Sequence, residues 1–340
     1  MHDASNLAVL HFNDCAGVGR ILVDQAARQG RSWDYLPPEQ VRPAVTPANP
    51  LAAKAAYLPY VLRRARHVRR ADVVHVHYAT SARLLRERGI PRRPYVLHLH
   101  GTDIREQWAD SAYHNEIQRA VDGARHVYYT NLDTTENARA VRPDAEYMPA
   151  FIEAGKLPAW QRRGAAGRPL VVFASRWEDV KGASENLRLA AELRRALPAD
   201  AELAGLDWGS RAAEAARAGI ELRPRLAEPD FVRLLASADV VIGQARPIFA
   251  VSEMQALAIG VPVAAVGSRL PRLDDAGTPP AIEGTLDDVV AGVREALDTP
   301  EEVAKRLGGK AWARAHHDPA PYIARLDEVY AAAVSVADQA

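Results

Sequence analysis

Cysteine is nearly absent. The single Cys15 among 340 residues excludes an internal disulfide framework and a Cys-based zinc site. No apolar stretch approaches the roughly 18 residues of a membrane span. The segment Met1 to Asn6 lacks the basic stretch and apolar core of a secretion signal, so a cytoplasmic protein is expected. Charge of one sign is missing too: 43 basic against 43 acidic side chains leave no global field that would draw in nucleic acid. No Gly-x-Ser-x-Gly elbow, no His-Glu-x-x-His pattern, no internal repeat and no low-complexity tract occurs.

Apolar residues make up 48% of the chain, enough for sizeable cores, and the length fits two domains of roughly 150 residues with a cleft between them. Short β-rich runs alternate with helical stretches: residues 7–12, 72–77, 95–100 and 126–130, then 170–174, 201–204, 220–222, 239–242 and 262–266. They lack strict polar alternation, as strands covered on both faces should. Strands separated by helices predict βαβ units and two parallel, Rossmann-like α/β sheets. A Pro-, Gly- and Arg-rich stretch over 150–168 reads as the linker. The expected domains are 1–155, 156–318, and a C-terminal helix at 319–340 returning toward the first domain.

Chemistry concentrates at strand ends, where parallel sheets bind ligands. The segment Arg176-Trp-Glu-Asp-Val-Lys-Gly182 follows the run Leu170–Ala174. Arg176, Lys181 and the helix opened by Gly182 would make a positive site for a diphosphate, with no metal required. The same residues also fit a plain surface βα loop. After the run ending at Gly243, the amides of Phe249, Ala250, Val251 and Ser252 converge on a second helix N-terminus, and Gly260-Val-Pro262 stops that helix.

Together these stretches resemble the donor domain of family 4-type glycosyltransferases with the GT-B fold. Arg176 to Gly182 looks like that family's G-R-x-x-x-x-K-G signature, and Met254 to Val263 like its L-E-A-M-A-x-G-x-P-V block. The strand ends Ala71–His77 and Tyr95–Asp103 are similar as well, so the likeness spans almost the whole chain. It implies a nucleotide-sugar donor, with UDP favoured, and transfer with retention of configuration and without a cofactor. Arg176 and Lys181 would hold the diphosphate. His100 would lie against the donor sugar on a loop oriented by Asp103. Gly17 and Gly19 would let a loop pass close to the phosphates and the acceptor. That acceptor is left open among small molecules, lipid-linked saccharides and polysaccharides; the Ala- and Arg-rich composition leans toward bacterial biosynthesis.

The family's two glutamates fall at Pro247 and Gln255, and Glu253 nearby reads as solvent-facing. Gln255 retains an amide for ribose hydroxyls, whereas Pro247 replaces nothing. A non-catalytic nucleotide-sugar-binding subunit is therefore a second reading, and a nucleotide-sugar epimerase a third that lacks visible acid and base carboxylates. The pairs His75/His77 and His98/His100 raise a zinc hydrolase, but acidic partners at ligand spacing are missing, so no metal is expected. Residues 57–70, with Tyr57, Leu58, Val61 and Leu62 at helical spacing before an arginine run, read as a solvated helix face or a weak contact with a membrane surface.

Overall fold

The computed structural model describes residues 7–45, 47–162 and 167–337. The opening hexapeptide, residue 46, residues 163–166 of the expected linker and the last three residues lie outside the described residues. The chain divides into two compact units, residues 1–151 with 319–340, and residues 152–318.

The first unit holds six parallel strands: β1 (Val9–Phe12), β2 (Asp34–Leu36), β3 (Val73–His77), β4 (Tyr95–Leu99), β5 (His126–Tyr129) and β6 (Glu146–Tyr147), in the order β2-β1-β3-β4-β5-β6. The second holds β7 (Leu170–Phe173), β8 (Glu202–Leu206), β9 (Glu221–Arg223), β10 (Val240–Ile242), β11 (Val263–Val266) and β12 (Ile282–Gly284), in the order β12-β11-β10-β7-β8-β9 and again all parallel. This is the expected pair of Rossmann-like sheets. Each has a point where the strand order reverses, between β1 and β3 and between β7 and β10, and ligands bind at such points.

Three strands escape the sequence reading: β2, β6 and β12. Each has three residues or fewer and lies at a sheet edge, where Asp34, Glu146 and Glu283 interrupt any apolar run. The central strands are buried on both faces.

One face of the first sheet is apolar in the ordinary way, with Leu10, Phe12, Val74, Val76, Leu97 and Leu99 in its core. The opposite face carries histidines. The parallel register sets His11 beside His75 and His77 beside His98, and residues two apart on a strand share a face. The helix Tyr322–Ala337 closes this face with Ile323, Leu326 and Tyr330, all fully buried. Arg31 pairs with its Asp327 at 2.9 Å.

The basic helix extends over Pro50–Arg70, capped by Asn49, whose side chain accepts from the Leu51 and Ala52 amides. Its two faces differ from the simple reading. Tyr57 and Val61 turn inward, Leu58 and Leu62 are exposed, and Arg64 is fully buried against Glu87 with its guanidinium over the Tyr57 ring.

Candidate functional site

In the second unit the two motif loops leave β7 and β10, neighbouring strands at the order reversal. Gly182 explains why the first loop ends in glycine. It has φ +79°, and a Cβ there would stand 2.6 Å from the Ala245 Cβ and 2.8 Å from its carbonyl oxygen. The turn after Arg176 can thus lie directly on the loop after β10 only without a side chain. Asn186, in the first turn of the helix Ala183–Ala196, donates to the Gly243 carbonyl at 3.1 Å and ties the same two loops. Arg246, which sequence reasoning missed, donates to the Val180 and Asp179 carbonyls. Its only signal was a cation inside the loop between two motifs.

Arg176 remains about one-third exposed, 3.3 Å from the Glu178 carboxylate and stacked over Trp208. Arg225 covers the same indole, 4.2 Å from the ring centre. Lys181 ends the short turn Asp179–Lys181.

Glu253 corrects an expectation: it is fully buried, not solvent-facing. Its carboxylate accepts from the Gln244 amide at 2.6 Å, the Ala250 amide at 3.0 Å and the Ser252 hydroxyl at 3.0 Å. Burial pushes this carboxyl up, opposed by those bonds and the Lys181 charge. The residue therefore shapes the loop after β10 and satisfies one of the amides at the start of the helix Val251–Ile259. Phe249 is buried under Arg269, and Ala250 and Ser252 are half-buried while Val251 is exposed. Pro247 is exposed, and its carbonyl accepts from the Leu270 amide. Gln255 is buried, and its amide donates to Glu228 at 3.3 Å, so a carboxylate from another helix stands beside the glutamine.

In the first unit Asp103 holds the loop after β4. Its buried carboxylate accepts from the amides of Ala79 (3.1 Å), His100 (3.1 Å), Gly101 (2.9 Å) and Ile104 (3.0 Å). Gly17 has φ +78° and open space around it, whereas Gly19 lies on imidazoles: a Cβ there would stand 2.5 Å from His77 Nε2 and 3.0 Å from His11 Nδ1. Gly19 is thus packed against the protein's own histidines. A cavity of about 530 Å³ nearby is lined by Asp14, Cys15, Arg20, Asp24, Tyr35 and Glu39.

The histidines form a linked set that sequence reasoning saw only as two pairs. His11 Nδ1 lies 3.1 Å from His77 Nε2, and His77 Nδ1 lies 3.0 Å from His100 Nε2. The Tyr330 hydroxyl stands 2.6 Å from His75 Nδ1 and 3.3 Å from His11 Nε2. Burial lowers all of these imidazoles, His11 to about 3, so they are neutral at physiological pH. Ring nitrogens of His11, His75 and His77, and of His77, His98 and His100, fall within 4.8 Å of one another, close enough to suggest a metal centre. In the first group His75 and His77 are 4.7 Å apart and only 4° from parallel, so the in-plane lone pairs of those two rings run side by side instead of converging.

No protein-family model and no curated protein matches the chain. Solved structures do. The sucrose-phosphate synthase of Thermosynechococcus elongatus matches over 95% of this chain and 98% of its own, with a TM-score of 0.67 at 16% identity. HepE of Anabaena, solved with UDP and glucose, matches over 96% and 100% with a TM-score of 0.68 at 14% identity. AviGT4, a glycosyltransferase of avilamycin A biosynthesis, matches over 97% and 98% with a TM-score of 0.61 at 18% identity. Two six-stranded parallel sheets matched from end to end to such structures give this chain the GT-B fold of nucleotide-sugar glycosyltransferases.

Proposed function

We propose that the protein is a glycosyltransferase that takes a sugar from a nucleoside-diphosphate sugar, UDP-linked by preference, and passes it to a hydroxyl acceptor with retention and without a metal. The observation carrying this reading is the contact of Gly182 with Ala245. It packs the loop bearing Arg176 and Lys181 against the loop entering the helix Val251–Ile259, at the order reversal of the second sheet. A diphosphate there meets a guanidinium, an ammonium and helix N-terminal amides. These stabilise negative charge as the sugar–phosphate bond breaks, without proton transfer to the leaving group. HepE, solved with UDP-glucose, supports the choice of nucleotide.

Gln255 and Glu228 are our candidates for the ribose hydroxyls: the amide donates and the carboxylate accepts. His100 would hydrogen-bond a sugar hydroxyl. We place the acceptor in the cavity beside Asp14 and Tyr35, whose carboxylates and phenol suit a hydroxyl-rich molecule. A weak contact with anionic membranes through the helix Pro50–Arg70 is part of the proposal. Leu51, Leu58 and Leu62 are exposed along one side with Arg66 and Arg69 beyond them.

Pro247 keeps a second reading open, a nucleotide-sugar-binding subunit without turnover. Thermal shifts with UDP, GDP, ADP and dTDP, with and without chelator, test the site, because a ligand bound only by the folded state raises its stability. Incubation with the matching nucleotide sugar then tests turnover. Chelator-insensitive stabilisation by one nucleotide with release of its diphosphate supports the transferase. Stabilisation without release supports the binding subunit, and no stabilisation by any nucleotide refutes both.

A further inference from the structure

The hydrogen bonds His75–Tyr330–His11–His77–His100 make one continuous chain through the buried face of the first sheet, and neutral imidazoles give it two arrangements that use every donor inside the chain. A neutral ring has one N–H and one bare nitrogen, so the bonds between rings point one way, and a third arrangement, with Tyr330 accepting from both His75 and His11, strands the buried phenol O–H without an acceptor. If the bonds run outward, His75 Nδ1 donates to the Tyr330 oxygen. Tyr330 donates to His11 Nε2, His11 Nδ1 donates to His77 Nε2, and His77 Nδ1 donates to His100 Nε2. If they run inward, every ring carries its proton on the other nitrogen.

The two ends of the chain decide between them. His75 Nε2 and His100 Nδ1 are both buried without a hydrogen-bond partner. Running inward puts an unsatisfied N–H on His75, which is fully buried beneath the C-terminal helix. Running outward leaves only a bare acceptor there and moves the free N–H to His100, whose Nδ1 is equally unpartnered but whose residue is only half-buried, on the loop past the carboxyl end of β4 where a ligand can accept from it. A second observation agrees. The Asp14 carboxylate lies 3.8 Å from His77 Nδ1 and favours a proton on that nitrogen, as the outward arrangement has it.

We propose that this chain is a tautomer lock: Tyr330, His11 and His77 act as positioning residues that hold His100 as an Nδ1–H donor, its Nε2 committed to the core. The ligand group taken there is then an oxygen acceptor. On the transferase reading above, and only on it, that oxygen is a hydroxyl of the donor sugar. The chain is not a proton shuttle. If His100 gave up its Nδ1 proton and every bond reversed, His75 would need a new proton on Nε2, and the sealed core supplies none. The hydroxyl therefore stays bound, not deprotonated, by this histidine.

Long-range proton–nitrogen NMR of the ¹⁵N-histidine-labelled full chain at pH 7.5, without ligand, reads each ring's tautomer. The expected wild-type spectrum has His11, His77 and His100 with protonated Nδ1 and bare Nε2. In Tyr330→Phe, which removes the hydroxyl that bonds two rings, the His100 signal should shift toward the Nε2–H form. A wild-type His100 that is Nε2–H or cationic overturns the lock, and so does metal bound at one equivalent to the purified chain with metal-shifted imidazole signals. Because no nucleotide enters this experiment, its failure leaves the transferase reading standing, and failure of the nucleotide panel leaves the tautomer result standing.

Discussion

Gly19 and His77 share one space: the Cβ that glycine lacks would fall 2.5 Å from the His77 ring nitrogen. Gly19, in the first turn of the helix Val18–Arg28, thereby belongs to the histidine face of the sheet.

Gly19→Ala should cost roughly 1 to 3 kcal/mol, the usual penalty for forcing a methyl into filled space. It should also disturb the His11–His77 bond. Gly17→Ala, with open space but φ +78°, should pay only the backbone cost of about 1 to 2 kcal/mol. Denaturant titration and histidine NMR read both, and a Gly19→Ala protein of wild-type stability with unchanged ring signals would contradict the packing.

At Gly182 strain and contact coincide. Gly182→Ala should lose nucleotide affinity beyond its loss of stability, because the methyl drives the turn carrying Lys181 away from Ala245. Calorimetric titration of the folded variant with the stabilising nucleotide tests this, and unchanged affinity argues against the two loops forming one site.

Arg176→Ala and Lys181→Ala should each weaken diphosphate binding and slow turnover by roughly 2 to 4 kcal/mol, as removal of a single charge-stabilising donor does in a closed site. Glu178, 3.3 Å from Arg176, holds the guanidinium before ligand arrives. Wild-type affinity and rate in both variants would remove the proposed donor site.

The histidine face predicts acid lability. Burial depresses the pKa of His11, His75, His77, His98 and His100 in the folded state, so at pH 7.5 they contribute no penalty. As pH falls through the unfolded value of about 6.5, the unfolded chain takes up protons that the folded chain refuses, and stability drops. Each histidine contributes a slope of up to about 1.4 kcal/mol per pH unit. His11, held at about 3, and His75, His77 and His98, held well below the usual imidazole range, carry most of the loss, while Asp103 and Asp14 oppose the lowering at His100. Denaturation curves from pH 7.5 to 5 should show this steep loss; a flat profile would show that the rings already bind protons when folded.

For the helix Pro50–Arg70, sedimentation with anionic phosphatidylserine vesicles should capture the protein, and neutral vesicles should not. Replacing Arg66 and Arg69 by glutamate should weaken capture by more than roughly 2 kcal/mol, since each basic residue near an anionic surface adds about 1 kcal/mol. Equal binding to both vesicle types would exclude an electrostatic contact.

Much of this protein is written in its local sequence. Apolar runs long enough to be covered on both faces announce nine of the twelve strands, and Arg176, Lys181 and Gly182 mark the loop after β7 because a strand–turn–helix unit needs only neighbouring residues to form. What tertiary structure alone decided depends on residues distant in sequence. The edge strands β2, β6 and β12 take their form from a neighbour's free hydrogen-bonding groups, which no short polar stretch reveals. Glu253 was read as a surface residue because its position on a helix does not disclose that the Gln244 and Ala250 amides turn back to receive it. His11, His77, His100 and Tyr330 come from two strands, a strand-end loop and the C-terminal helix, up to 319 positions apart. Only the parallel register of β1, β3 and β4, closed over by that helix, turns scattered imidazoles into a single hydrogen-bonded chain.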